Sequence, residues 1–214
     1  AEMLEMGRVP DEGKKKHYYR TIMNEAARLT QLINNILDFA RLEAKRKQYS
    51  FQPVSLNEIV DETLQMFRYP LKQRGFELSV KLDDELPLIQ GDRQAVTQAL
   101  VNLMDNAIKF SRERRSIRIE TGRENGRVFL AITDQGVGIP ESQQGKIFEK
   151  FYRIGSTLVH DTKGSGLGLA IVKHIIDDHG GEVRVRSKPG EGSTFTLVFP
   201  IATEDLTNGP DSRR

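Results

Sequence analysis

Residues 134–168 read DQGVGIPESQQGKIFEKFYRIGSTLVHDTKGSGLG, an acidic residue closing a strand and then two glycine clusters separated by a polar segment studded with aromatics. The pattern is that of a nucleotide pocket with a lid. The preceding VFLAITD, Val128 to Asp134, is apolar on both faces, which predicts a central strand that delivers one carboxylate at its end. An ionised carboxylate only accepts hydrogen bonds. At that place it suits the exocyclic amino group of adenine and repels the carbonyl that guanine carries. Gly136 and Gly138 leave room for a flat ring to approach the backbone.

The second cluster, Gly164, Gly166 and Gly168, runs into LAIVKHIIDDHGG, a stretch of helical length that stops at Gly180 and Gly181. Glycines opening a helix expose backbone N–H groups at its positive end, where phosphate oxygens bind. A tight loop before a helix would look the same, so these glycines carry weight only in company. The spacing excludes two common glycine motifs. No Gly-x-x-x-x-Gly-Lys-Ser/Thr loop occurs, and Gly-x-Gly-x-Gly lacks the offset of the dinucleotide fingerprint and follows a loop instead of a strand.

The third piece lies upstream in QALVNLMDNAIKFS. Asn102, Asn106 and Lys109 stand at i, i+4 and i+7 and share one helix face. At about 100° per residue, Val96, Ala99, Leu100, Leu103, Ala107 and Phe110 fall on a separate, core-facing side. A neutral Asn oxygen is a hard ligand, able to hold a magnesium ion that already carries phosphate oxygens and water. Lys109 can meet phosphate charge directly.

NLMDNAIKF resembles the N box, DQGVGI the first glycine box, FEKFYR the phenylalanine box and GSGLGL the second glycine box of sensor histidine kinases, in the family's order. The resemblance runs from about Val54 to Pro200. It implies the Bergerat ATP-binding fold shared with gyrase, Hsp90 and MutL, with ATP and magnesium as cofactors. It also implies roles: Asp134 reads adenine, with Gly136, Gly138 and Ile139 beside it. Asn106 holds magnesium with Asn102 as a second candidate ligand, and Lys109 meets phosphate. Gly164, Ser165, Gly166, Leu167, Gly168 and Leu169 cradle the phosphate tail, and Arg153 reaches the terminal phosphate when the lid closes. Asn102, Lys109 and Arg153 are thus the catalytic candidates. Phe148, Phe151 and Tyr152 read as hinges and packing for the lid, with core packing alone the alternative, above all for Phe148; Phe148 and Tyr152 are also candidates to border the nucleotide.

Upstream, Ile22, Ala26, Leu29, Ile33, Ile36 and Ala40 repeat 4-3-4-3-4 in a helix expected from about Lys16 to Lys47, the seam of a bundle or coiled coil. Leu32, Leu37 and Phe39 widen the stripe beyond what one partner would cover. Residues Ala1–Arg8 read as the end of another helix and Val9–Gly13 as a turn. This region resembles the second helix of the family's dimerisation and phosphotransfer domain, whose first helix carries the phosphoacceptor histidine in a His-Asp/Glu pair followed closely by Pro. None of His17, His160, His174 and His179 has that context, so the acceptor is expected outside this chain. His17, His160, His174 and His179 read as surface or helix-end residues.

The expected organisation is a helical dimerisation segment over 1–48, an ATP-binding α/β two-layer sandwich over 49–201 and a disordered tail over 202–214. Within the sandwich, Ser55 with Glu58 forms a capping box with Val54 and Ile59 as its staple. Asp92 caps the Asn-bearing helix, Phe76–Leu82 alternates as a strand, and hairpins close around Glu124–Gly126 and across KPGEGS.

Composition limits the remainder. With 214 residues, 37% hydrophobic and 29% charged, the chain can bury a full core. A net charge of +2 offers no electrostatic case for nucleic acid. The absence of cysteine rules out disulfides and thiolate catalysis. No apolar run has membrane-spanning length, so a cytoplasmic location is expected, with any membrane anchor upstream. The expected partners are the phosphoacceptor helix, a second copy through the bundle, and the receiver domain of a response regulator. The leading reading is therefore ATP-dependent phosphorylation of a histidine. The alternative is an ATP-binding conformational switch or ATPase; related ATPases place a general-base Glu one turn before the magnesium Asn, where this chain has Asn102, which takes no proton near neutral pH.

Overall fold

The computed structural model describes residues 4, 6, 11–43, 48–111, 113–154 and 165–202. They fall into two compact units, Ala1–Arg46 and Lys47–Arg214. Most of Ala1–Arg8, residues 155–164 of the expected lid and residues 203–214 of the expected tail lie outside the described residues.

In the first unit Asp11 starts helix α1, Glu12–Glu43. Its carboxylate accepts the Lys14 amide at 2.6 Å and its carbonyl the Lys15 amide at 3.0 Å. This cap corrects the expected turn through Gly13: the helix begins before Lys16 and takes the basic run into its first turn. At about 1.5 Å per residue α1 is about 48 Å long. Ile22, Met23, Leu29, Ile33 and Leu37 are between 42 and 71% exposed along it. The side chains of Leu32, Ile36, Phe39 and Ala40 lie outside the described residues.

The second unit is built on a five-stranded sheet ordered β2-β4-β5-β7-β6. Its strands are β2 (Glu77–Lys81), β4 (Ser116–Glu124), β5 (Arg127–Asp134), β6 (Glu182–Lys188) and β7 (Gly192–Pro200). Only the β2–β4 pair is parallel. Asn125 and Gly126, with φ of 50° and 71°, make a two-residue hairpin turn between β4 and β5, tighter than the expected three-residue connection. A separate ribbon, β1 (Gln52–Val54) with β3 (Ile89–Gly91), was not expected as a sheet.

Three helices pack against one sheet face: α2 (Leu56–Gln73), α3 (Arg93–Phe110) and α5 (Gly168–Asp178); a short α4 (Glu141–Gln144) and a 3-10 turn (Lys146–Phe148) precede α5. Strand periodicity dictates that face. Ile117 and Ile119 of β4, Val128, Leu130 and Ile132 of β5, and Phe195, Leu197 and Phe199 of β7 are buried on alternate positions. The same alternation puts Asp134 at the inner end of the central strand, in one cross-strand row with Ile117, Ser193 and Ser187.

Local chemistry explains the helix starts. Ser55 accepts the Glu58 amide at 3.3 Å, with Val54 and Ile59 buried as the staple. The Glu58 carboxylate pairs with Arg93 and does not return to Ser55, so only half of the capping box forms. Asp92 accepts the Ala95 amide at 2.9 Å and starts α3. The core face of α3 includes Met104 and Ile108; Phe110, expected in the core, is half-buried and lines the functional cavity instead. Among the described residues no helix is long and apolar enough to cross a membrane.

Candidate functional site

One cavity joins the end of β5, the last turns of α3, the two glycine-bearing loops and the start of α5. Its lining includes Asp134, 6% exposed. Its Oδ1 accepts the Gly136 amide at 2.7 Å. Burial holds its carboxyl above the usual range, opposed by hydrogen bonds from the Gly136 and Ser193 amides. The backbone donors therefore anchor an acceptor that is short of solvation and available to a ligand donor.

Two glycines make this part of the lining possible. A Cβ at Gly136 would lie 2.6 Å from the Phe110 carbonyl oxygen, and one at Gly138 (φ 69°) would lie 2.0 Å from that of Lys188. The loop is sewn to both neighbours. The Val137 amide donates to Phe110 O at 3.2 Å, the Gly190 amide to Val137 O at 2.8 Å and the Ile139 amide to Ser187 Oγ at 2.8 Å. Gln144 of α4 clamps the carbonyls of Ile139 and Ser187 at 3.1 and 2.8 Å. Val137, Ile139, Ile147 and Phe195 supply apolar walls suited to a flat ring.

The lining also holds polar and cationic groups. Asn106 and Lys109 reach it from α3, Tyr152 and Arg153 from the segment after the 3-10 turn, and Gly166 and Gly168 from the second glycine cluster. Leu167 caps α5 without a side-chain acceptor, so the first-turn amides are not consumed by a cap. Gly168 opens that helix beside Asn102, whose Oδ1 would stand 3.6 Å from a Cβ there. The segments flanking the expected lid touch through the Phe151 amide and Gly166 O at 3.1 Å. The fit is close enough that a Cβ on Gly166 would meet the Phe151 Cα at 2.8 Å, and Phe151 itself takes a left-handed φ of 60°.

Asn106, Lys109, Asp134, Gly138, Ile139, Tyr152, Arg153, Gly166, Gly168 and Leu169 are thus gathered around one cavity. Asn102, Gly136, Ser165 and Leu167 do not line it themselves but adjoin residues that do: Asn102 stands beside Gly168, Ser165 Oγ accepts the Leu167 amide at 3.3 Å, and Leu167 is fully buried. Phe148, expected to border the nucleotide, does not line the cavity; Ile147 beside it does, because the tight 3-10 turn directs adjacent side chains apart. Gly164 lies outside the described residues. Phe110, Val137, Ile147, Ile154, Ser193 and Phe195 also line the cavity and were not among the sequence candidates.

Among the described residues no cluster of three His, Cys, Asp or Glu could hold a metal. The donor set here, the amide oxygens of Asn106 and nearby Asn102, fits a hard cation that brings most of its ligands with it as phosphate oxygens and water.

The family model for histidine kinase-, DNA gyrase B- and HSP90-like ATPases matches residues 91–203, which hold every feature of this cavity. The chain belongs to that family. The model of the His Kinase A (phospho-acceptor) domain matches residues 1–45. The alginate biosynthesis sensor protein KinB of Pseudomonas aeruginosa is 36% identical over 90% of this chain, which spans 32% of KinB's length. Full-length ShkA in complex with AMPPNP superposes with a TM-score of 0.75 at 29% identity, over 89% of this chain and 39% of ShkA. Histidine kinase ThkA in complex with response regulator protein TrrA gives 0.73 at 27% identity, over 95% of this chain and 56% of that one. The α/β sandwich is therefore a histidine kinase catalytic domain of the ATP-binding type, preceded by a helix of the dimerisation domain. The sensor-like histidine kinase SenX3 of Mycobacterium bovis is 33% identical over 91% of this chain, which spans 47% of SenX3.

Proposed function

We propose that this chain supplies the ATP-binding and phosphoryl-transferring part of a cytoplasmic sensor kinase, acting on a histidine of a dimeric helical bundle. The observation that carries this is one cavity lined both by a buried, backbone-anchored carboxylate, Asp134, and by Asn106, Lys109 and Arg153. Asp134 accepts from the adenine amino group while Gly138 lets the ring lie against backbone. The α5 amides and Lys109 hold the phosphate tail, and Arg153 neutralises the terminal phosphate as charge develops on it. Asn106, with Asn102 close by, would hold a magnesium ion, which supplies charge neutralisation on the phosphate oxygens.

The residue one turn before Asn106 supports transfer to a protein acceptor over hydrolysis. Asn102 offers no base to activate water. The chain's own histidines are poor acceptors. His179 is buried with both ring nitrogens engaged, His174 lies 3.3 Å from Asp178, and neither they nor His17 has an adjoining acidic residue and proline. His160 is followed by Asp161 but by no proline, so we assign the acceptor to a histidine other than these four. The ThkA–TrrA complex supports a receiver domain as the next partner. Calorimetric titration with ATP and GTP in magnesium tests the base-reading step: ATP binds and GTP does not. Equal binding of both would remove Asp134 from that role.

A further inference from the structure

His179 ends α5, where sequence alone suggests a solvated helix-end histidine, yet it is 4% exposed. Its Nδ1 lies 2.7 Å from the Ile175 carbonyl, and its Nε2 accepts the Asp92 amide at 3.0 Å. A carbonyl can only accept and an amide can only donate, so the ring is the neutral tautomer with its proton on Nδ1. The ring is boxed in by Tyr49, Phe51 and Phe199, at centroid distances of 5.3, 4.9 and 6.4 Å. It also lies on Gly91, where a Cβ would stand 3.1 Å from Cδ2.

The groups meeting here come from three places with different jobs. Tyr49, Ser50 and Phe51 begin the second unit just after its boundary at Arg46 and Lys47, and so are the connector from the helical unit. The Ser50 amide donates to Asp92 Oδ2 at 2.8 Å, while Oδ1 of the same carboxylate caps α3. Asp92 and His179 stand at the ends of α3 and α5 remote from the cavity, and the two helices pack on each other. Their other ends hold Asn106 and Lys109, and Gly168. The cavity lies about 21 Å along α3 and about 17 Å along α5 from this junction, at about 1.5 Å per residue.

We propose that His179 is a clasp fastening the connector to both nucleotide-holding helices, so that filling the cavity and seating residues 49–51 are thermodynamically linked. The inference rests on the nucleotide reading of the cavity. A ligand that bridges α3 and α5 at one end fixes their relative position at the other, where the Asp92–His179 hydrogen bond needs the two ends in register. Seating the connector requires that same register, because Ser50 is held by Asp92 and Phe51 by the His179 ring. By reciprocity, whatever the nucleotide does for the connector the connector does for the nucleotide. The connector leads to the helical unit, so the clasp gives events there a route to ATP affinity.

Amide hydrogen exchange on the whole chain, with and without AMPPNP and magnesium, tests this, with calorimetry on the same sample reporting occupancy. The Ser50 and Asp92 amides should exchange about tenfold more slowly at saturating AMPPNP, within the span usual for coupled sites. His179→Phe keeps the aromatic packing but removes both nitrogens; these amides should exchange faster, lose their nucleotide dependence, and AMPPNP affinity should fall by the same factor. His179→Gln, whose amide oxygen can reach the place of Nε2, should restore part of both effects. Calorimetry without binding would refute the nucleotide reading itself. Binding with unchanged exchange at Ser50 and Asp92 in the parent chain would overturn the clasp, and that measurement needs no variant to fold. Retained nucleotide-dependent protection in His179→Phe would remove His179 from the link.

Discussion

Replacing Asp134 with Asn removes one charge and one acceptor from a site that asks for three hydrogen bonds. The carboxylate takes amides from Gly136, at 2.7 Å, and Ser193, and in the proposed complex the adenine amino group as well. An asparagine has one oxygen to offer and turns its NH2 toward one of these donors, leaving that donor unmatched. A hydrogen bond to a charged group contributes about 1.5–3 kcal/mol, so affinity for ATP should fall by roughly 10- to 150-fold. The fold itself should hold, because burial already penalises the charged form and the substitution relieves that penalty as it removes an acceptor. Isothermal titration reads the first effect and thermal melting without nucleotide the second. The pH profile gives an independent arm. Asp134 has a carboxyl raised above its ordinary value, so its ionised form destabilises the empty fold as pH rises through the folded pKa, and adenine binding, which requires that form, is lost as pH falls through it. Adenosine, which carries no titrating phosphate, should therefore lose affinity on acidification at a pH above the ordinary aspartate range. Equal affinity in Asp134→Asn, or an adenosine titration flat through that range, would refute the base-reading role.

Asn106→Asp should lower transfer activity far more than stability, since an added carboxylate repels the phosphates that share the proposed metal; a melting temperature well below the parent's without nucleotide would instead make Asn106 a structural residue. Gly138→Ala should destabilise the second unit by about 2 kcal/mol or more in urea unfolding. A left-handed φ costs a non-glycine about 1–2 kcal/mol, and the new methyl would sit 2.0 Å from the Lys188 carbonyl oxygen of a hairpin tied to Val137. An unchanged unfolding midpoint would mean that the hairpin yields freely.

Residues whose placement follows from their immediate neighbours were legible in the sequence. Asp134 reads as the end of a strand apolar on both faces, and Asn106 and Lys109 as one helix face, because such runs and the 3.6 period are properties of neighbouring residues. Ser193 was not legible as a partner of Asp134. Its place depends on the antiparallel register of β5 with β7, which nothing near either residue announces. Phe110 fell on the core side of a helical wheel, yet it is the final residue of α3, where the helix leaves the core and borders the cavity. His179 looked like a solvated helix end because the groups that bury it, Tyr49, Phe51 and Gly91, come from the connector and the small β1–β3 ribbon. The four-residue α4, which supplies Gln144, is too short to show an amphipathic period.

The most direct test of the central claim is transfer of radiolabel from the terminal phosphate of ATP. The chain is mixed with a full-length relative whose own nucleotide pocket has been disabled and whose acceptor histidine is intact. Acid-labile label should appear on that partner's histidine, should vanish with Arg153→Ala while most ATP affinity is kept, and should be absent from the chain incubated alone. Robust label on the isolated chain, at His17 or another of its four histidines, would contradict the assignment of the acceptor; no label on the partner despite tight ATP binding would contradict phosphoryl transfer as the function.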